Sequence, residues 1–399
     1  MRFKKLLNKK NAIAITTLVI SIIVAFLIVK DPFHLRYRNS TVSLTAQELK
    51  ILSQNIAKGC SSAIDRQECY KLELSELTKL YGIANGEAIL YAVQDYDETA
   101  KGCHIISHYM SNEAYKRAPW EFYKLLDTVN VNACGSGFLH GVLEAYTRDH
   151  PEITIDGAFA NDLCSRSQDR YRQNMCIHFL GHIFLLNEYG EIEKALPFCE
   201  EVRKQWEYDC YDGIFMEDAQ KLILAEHGIM PKPVLNDEYV EKLEDRCLTY
   251  TGEKGRACWV EMAETYAHTY GYYSDMVYKR CQLAQQENYR KGCYFKGVIA
   301  MAVYPTFSSP QALTKLCSYY KNNMQVYGEC VYTLISTLMF YSPKFVTRGQ
   351  SFCSNIISSY RDQCFTHLTR YLKTLVKDKE ERLKLCTVLS PERRALCEN

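Results

Sequence analysis

Hydrophobic and polar positions along the chain fall into two regimes. The first is short: Ala12 to Val29 runs 18 residues without a charge, close to the lower limit for a helix that crosses a bilayer. Residues 30–45 are polar and aperiodic, the pattern of a tether. Beyond them one unit recurs: an amphipathic run ending at a cysteine, a polar turn often carrying Tyr or Arg, and an apolar run opening at the next cysteine. Tyr289-Arg290-Lys291-Gly292-Cys293 and Tyr360-Arg361-Asp362-Gln363-Cys364 are two such turns, and the runs Cys293 to Val303 and Cys330 to Phe340 are apolar enough for core helices. The expectation is an all-α body, a solenoid of helical hairpins.

The cysteines set its period. There are 18, an even number, and all follow the apolar segment. They couple as Cys60/Cys69, Cys164/Cys176, Cys199/Cys210, Cys247/Cys258, Cys281/Cys293, Cys317/Cys330, Cys353/Cys364 and Cys386/Cys397, with Cys103/Cys134 as a wider couple. From Cys164 the first members advance by 35, 48, 34, 36, 36 and 33 residues, a step typical of two-helix repeats. The long step predicts an insertion around His227 to Asn236, where Gly228, Pro231 and Pro233 interrupt the pattern. Zinc-binding cysteine couples stand two to four residues apart, whereas these stand nine or more apart, so disulfides are the expected use. Each would tie the end of one helix to the next, a closure worth roughly 3 kcal/mol for a dozen-residue loop.

Disulfides persist in oxidising compartments, which bears on the first forty residues. Arg2, Lys4, Lys5, Lys9 and Lys10 precede the apolar segment, and such a basic flank holds its side in the cytoplasm. A cleaved signal peptide is the alternative, but its apolar core should be shorter and be followed by small residues; here Lys30, Asp31, Pro32 and Phe33 follow. The reading is a cytoplasmic flank (1–11), a signal anchor (12–29), a tether (30–45), N-terminal hairpins (46–160) and stapled repeats (161–399) in the periplasm or cell exterior. The net charge of +1 over 48 basic and 47 acidic residues argues against nucleic acid as a partner.

By period and cysteine placement, the stretch from Cys164 to Cys397 resembles the Sel1-like and tetratricopeptide-like repeat proteins, particularly the secreted type in which each hairpin is bridged. The resemblance implies a right-handed stack of helical pairs whose concave face binds a protein or peptide, with no catalytic residue carried over.

The histidines suggest chemistry of their own. Five of the ten, His104, His108, His140, His178 and His182, fall within 79 residues. His104/His108, His140/Glu144 and His178/His182 are each four apart, hence on one helical face, and they follow one another at steps of 36 and 38, the repeat length itself. One further step reaches Asp212 and Met216. Such couples on neighbouring helices suit Zn, Fe, Mn, Ni or Cu, with Glu144 as a ligand or as general base to metal-bound water. Gly135, Gly137, Gly141 and Gly181 lie among them and would permit close backbone approach. The chain therefore reads as a metal-binding protein, with a metal-dependent hydrolase or oxidase as the catalytic form of that reading. The competing reading is a metal-free scaffold in which the same rings are packed or hydrogen-bonded. The 30 tyrosines are expected chiefly to pack between hairpins, with Tyr266, Tyr270, Tyr272 and Tyr273 as the best candidate for an exposed patch. No nucleophile elbow, phosphate loop or dinucleotide fingerprint is present.

Overall fold

Short polar side chains in the turns start many of the helices. Thr45, Asp65, Asp156, Asp169, Asn236, Ser309, Asn323 and Asp378 each accept a hydrogen bond from a backbone N–H in the first turn of the following helix. Thr45 and Glu48 complete a reciprocal capping box, which starts the helix at residue 46. The computed structural model describes residues 44–398 apart from 102, 130–133, 227, 304–306, 308 and 377. The expected anchor at 12–29 lies outside the described residues. No helix among those described is long and apolar enough to cross a membrane.

The described residues form twenty-one α-helices and no strand. The N-terminal group comprises α1 (Ala46–Cys60), α2 (Arg66–Tyr81), α3 (Ile83–Val93), α4 (His104–Arg117), α5 (Phe122–Thr128), α6 (Gly137–Asp149) and α7 (Gly157–Ser165). Then come α8 (Arg170–Asn187), α9 (Ile192–Glu201), α10 (Glu207–Gln220), α11 (Leu222–Glu226), α12 (Asp237–Thr249), α13 (Gly252–Thr269) and α14 (Ser274–Cys281). The chain ends with α15 (Glu287–Ala302), α16 (Pro310–Ser318), α17 (Met324–Tyr341), α18 (Val346–Asn355), α19 (Ser358–Leu375), α20 (Lys379–Cys386) and α21 (Pro391–Glu398). The helices stack in two rows. One row runs α2, α4, α6, α8, α10, α13, α15, α17, α19, α21, each against the next; shorter helices such as α7, α9, α12, α14, α16, α18 and α20 back it. The expected helical repeat is thus present, and the long step corresponds to α11 and the loop leading to α12.

All nine expected disulfides are formed, with Cα atoms 5.2–5.9 Å apart, and no cysteine is free. Seven join the end of one helix to the first turns of the next long helix, which fixes the hairpin angle, and Cys386–Cys397 joins the ends of α20 and α21. Cys103–Cys134 differs, tying the start of α4 to the turn before α6. The sulfurs lie in one core with Phe138, Phe179, Phe184, Trp206, Trp259, Tyr294 and Phe352, so each hairpin buries apolar surface only by stacking on its neighbours. The stack curls until Lys344 forms an ion pair with Asp95 and points its ammonium at the Tyr91 carbonyl 3.5 Å away.

The exposed-patch candidate is corrected, and these tyrosines mostly pack. Tyr266 is fully buried and donates to Glu244 at 2.8 Å, Tyr270 donates to Asp237 at 2.8 Å, and of the four only Tyr273 is largely exposed. The apolar ring and hydroxyl of tyrosine are used here to fasten α13 to α12 within one hairpin.

Candidate metal centre

Glycines determine how closely the long helices meet. A Cβ on Gly137 or Gly141 of α6 would overlap the carbonyl of His104 or His108 on α4, respectively. A Cβ on Gly213 of α10 would overlap the His178 carbonyl of α8, and one on Gly181 the Cys210 carbonyl. α4 and α6 therefore touch backbone to backbone, as do α8 and α10. Side chains that ordinary packing would hold apart are brought into one cluster.

His140 of α6 is its centre. Its ring centroid lies 5.2 Å from His104, 5.4 Å from His108, 5.7 Å from His178 and 5.9 Å from His182. One ligand nitrogen from each of His104, His108 and His140 can be chosen so that the three lie within 4.8 Å of one another. His178 and His182 form a second couple, with Nε2 atoms 3.1 Å apart. Phe179 walls the cluster, its ring 5.0 Å from that of His140.

The outward-facing nitrogens of four rings stand against an oxygen, although His178 Nδ1 completes no hydrogen bond among the described residues. His104 Nδ1 lies 2.9 Å from the Cys134 carbonyl, which can only accept, so His104 carries its proton on Nδ1 and leaves Nε2 a lone pair. Cys134 and Ser136 hold φ of 51° and 67°, a left-handed backbone that costs energy in non-glycine residues and is retained at the turn that presents this carbonyl. His108 Nδ1 faces Glu144 Oε2 at 3.4 Å, His178 Nδ1 faces Asp212 Oδ2 at 3.1 Å, and His182 Nδ1 faces Glu217 Oε2 at 3.3 Å. Such partners at the far nitrogen fix tautomer and orientation in metal-ligating histidines. Nε2 of His108 and of His140 are buried and have no hydrogen-bond partner among the described residues, a state that costs about 1–3 kcal/mol for each such group.

Burial also keeps His104, His140 and His182 neutral. Desolvation, then the positive charge His108 would carry, pushes His104 down to about 3. His140 is pushed well below its ordinary value by the same kind of causes, burial first and then His104. Desolvation takes His182 to about 4 against the opposing hydrogen bond from Glu217. Neutral imidazole is the form that binds metal.

The polar row continues past the histidines. Asp212 also accepts from Tyr208 at 3.1 Å, and Lys296 of α15 pairs with Glu261 of α13 at 2.9 Å. Burial alone would raise Asp212, but the hydrogen bond with His178 and the charge of Lys296 hold it below the usual carboxylate range. Glu261 is pushed well above that range by burial, against the pull of Lys296 and with the repulsion of Asp212.

All six sequence-identified residues thus meet in one region, but in two roles. The five imidazoles converge, and Glu144 stands behind His108, where it orients the ring. Glu217, which sequence reasoning passed over in favour of Met216, lies 35 residues after His182, as Glu144 lies 36 after His108 and Asp212 34 after His178. A carboxylate one repeat ahead was the available signal. No family model, curated protein or solved structure matches the chain.

Proposed function

We propose that this protein is a metal-binding helical-repeat protein whose body lies outside the cytoplasm, tethered through residues 12–29. The carrying observation is the convergence of five imidazoles, four of them buried, in which the outer nitrogens of His104, His108 and His182 are hydrogen-bonded and the inner nitrogens of His108 and His140 have no partner among the described residues. A hydrogen-bonded packing network would use both nitrogens of each ring; here two inner nitrogens lack any partner among the described residues. The nine disulfides favour an oxidising compartment and take every thiol out of the ligand set. Neutral nitrogen donors suit Zn, Cu, Ni or Fe and disfavour Mg and Ca. Three imidazoles leave a fourth position for water, the arrangement of hydrolytic zinc sites, and the buried setting restricts any hydrolytic or oxidative substrate to a small molecule. Elemental analysis of the full chain, purified without chelator, tests this: stoichiometric transition metal is expected, falling sharply in a His108→Gln, His140→Gln variant. Absence of metal, or content unchanged in the variant, overturns it.

A second reading, a scaffold for a protein or peptide, rests on one patch. Tyr332 and Tyr371 share a 2.6 Å hydroxyl contact, Phe340 stacks edge-on to Tyr371 at 5.2 Å, and Tyr332, Phe340 and Tyr341 are all exposed. Aromatics so placed are typical anchors of interfaces.

A further inference from the structure

We propose that the cluster holds two ions: one on His104, His108 and His140, and a second on His178 and His182 with its remaining positions left to water. This rests on the metal-binding reading and adds to it a second, separate site.

The first argument is numerical. Four ligands complete a tetrahedral ion, and five imidazoles converge here. Among the described residues, the one group of three or more whose ligand atoms come together within 4.8 Å is His104, His108 and His140.

The second argument concerns protons. Glu217 accepts from the Leu224 N–H at 2.8 Å with Oε1, which leaves Oε2 to accept from His182 Nδ1. Asp212 accepts from Tyr208 with Oδ1 and faces His178 Nδ1 with Oδ2. A neutral imidazole has one N–H; His182 commits its own to Glu217, while His178 Nδ1 stands against Asp212 without a hydrogen-bond partner among the described residues. The two Nε2 atoms stand 3.1 Å apart, close enough for one proton or one cation to lie between them. Two nitrogens bound to one ion at about 2.0–2.1 Å stand about 3–3.4 Å apart, so the spacing already present is that of neighbouring ligands.

The third argument is charge. Glu144 backs the first set, and Asp212 and Glu217 back the second. Three carboxylates behind neutral ligands offset much of the charge of two dications in a buried site. A single ion on His104, His108 and His140 would leave Glu217, which is fully buried, with no cation among its hydrogen-bond partners.

The full chain, stripped with chelator and titrated with Zn(II), should take up two equivalents, the second more weakly because it has fewer protein ligands. His178→Gln, His182→Gln should retain one equivalent. Asp212→Asn, Glu217→Gln, which keeps all five rings, should weaken the second equivalent tenfold or more while leaving the first unchanged, and it decides the matter if the histidine variant fails to fold. One equivalent at saturation in the parent, two in the histidine variant, or none in that variant when folded, overturns the two-ion proposal and leaves metal binding standing. No uptake by the parent removes metal binding itself.

Discussion

Gly141 on α6 lies directly against the backbone carbonyl of His108 on α4, with no space between them for a methyl group. That contact decides how far the His140 ring stands from the His104/His108 couple. Gly141→Ala must push the two helices apart, because the obstructing atom is backbone and cannot rotate away. Overpacking of this kind costs about 1–3 kcal/mol. A lower midpoint in chemical denaturation is expected, together with at least tenfold weaker Zn(II) binding. Gly59→Ala, at a glycine whose added Cβ would meet nothing, should leave the metal affinity unchanged; equal losses in both would show that glycine packing does not set the site.

Much of this architecture is legible in the sequence because its strongest constraints are local. Each disulfide except Cys103–Cys134 links residues nine to thirteen apart, so cysteine spacing gives the hairpin, and the hairpin period lines up the imidazoles. Convergence was harder to read, since it depends on which glycines face which carbonyls across helices more than thirty residues apart. Glu144 shows the limit most plainly: helical periodicity puts it on the His140 face, but its side chain serves His108 on the preceding helix. Tyr266 shows another limit. A run of tyrosines has the composition of a binding patch, yet Glu244 and Arg280 meet there as an ion pair at 3.1 Å, and the Tyr266 hydroxyl is buried against it. Composition alone does not tell which ring the next hairpin covers.

Glu144→Gln tests the orienting role assigned to that carboxylate. The amide can still accept from His108 Nδ1, but it loses the charge that makes the imidazole a stronger donor to metal. Loss of an outer partner of this kind typically weakens metal binding 10–100-fold, and removal of a direct ligand should do more. Competition titration with a chromophoric chelator should rank the parent first, Glu144→Gln next and His108→Gln last. Glu144→Gln weaker than His108→Gln would place the carboxylate on the ion.

The depressed basicity of His182 predicts an acid-dependent stability difference in metal-free protein. Its folded value of about 4 lies below the ordinary 6.5 because of burial, so between those limits the unfolded chain takes up a proton that the folded chain refuses. Stability from this group is complete above about pH 6.5 and is lost as pH falls, at roughly 1.4 kcal/mol per pH unit. His182→Gln has no such proton. The stability of the parent relative to this variant should therefore shrink at that rate from pH 6.5 down to about 4, below which it levels off. Comparing the two proteins cancels the titrations of Asp209 and Glu261, which burial shifts upward and which act in the opposite sense. Urea denaturation at half-unit intervals checks it, and a pH-independent gap would mean that the ring is not held neutral by the fold.

The two ends of the disulfide series should differ in their effect on metal, though not greatly in the stability they supply. Closing the loops of Cys103–Cys134 and Cys386–Cys397, 31 and 11 residues apart, is worth roughly 3–4 kcal/mol in either case by chain entropy. Position separates them. Cys134 presents its carbonyl to His104 Nδ1, whereas Cys386 and Cys397 close the last hairpin of the stack, and in a linear array of repeats a local loss fades with distance from it. Cys386→Ser, Cys397→Ser should fray the C-terminal hairpin, visible as faster amide exchange there, while Zn(II) affinity stays within about twofold. Cys103→Ser, Cys134→Ser frees the turn that fixes the first imidazole, and affinity should fall by at least tenfold even where circular dichroism shows the helices intact. If the terminal variant lost metal as severely, the stack would be coupled end to end, and the Lys344–Asp95 contact that joins its distant parts would be the first place to look for the link.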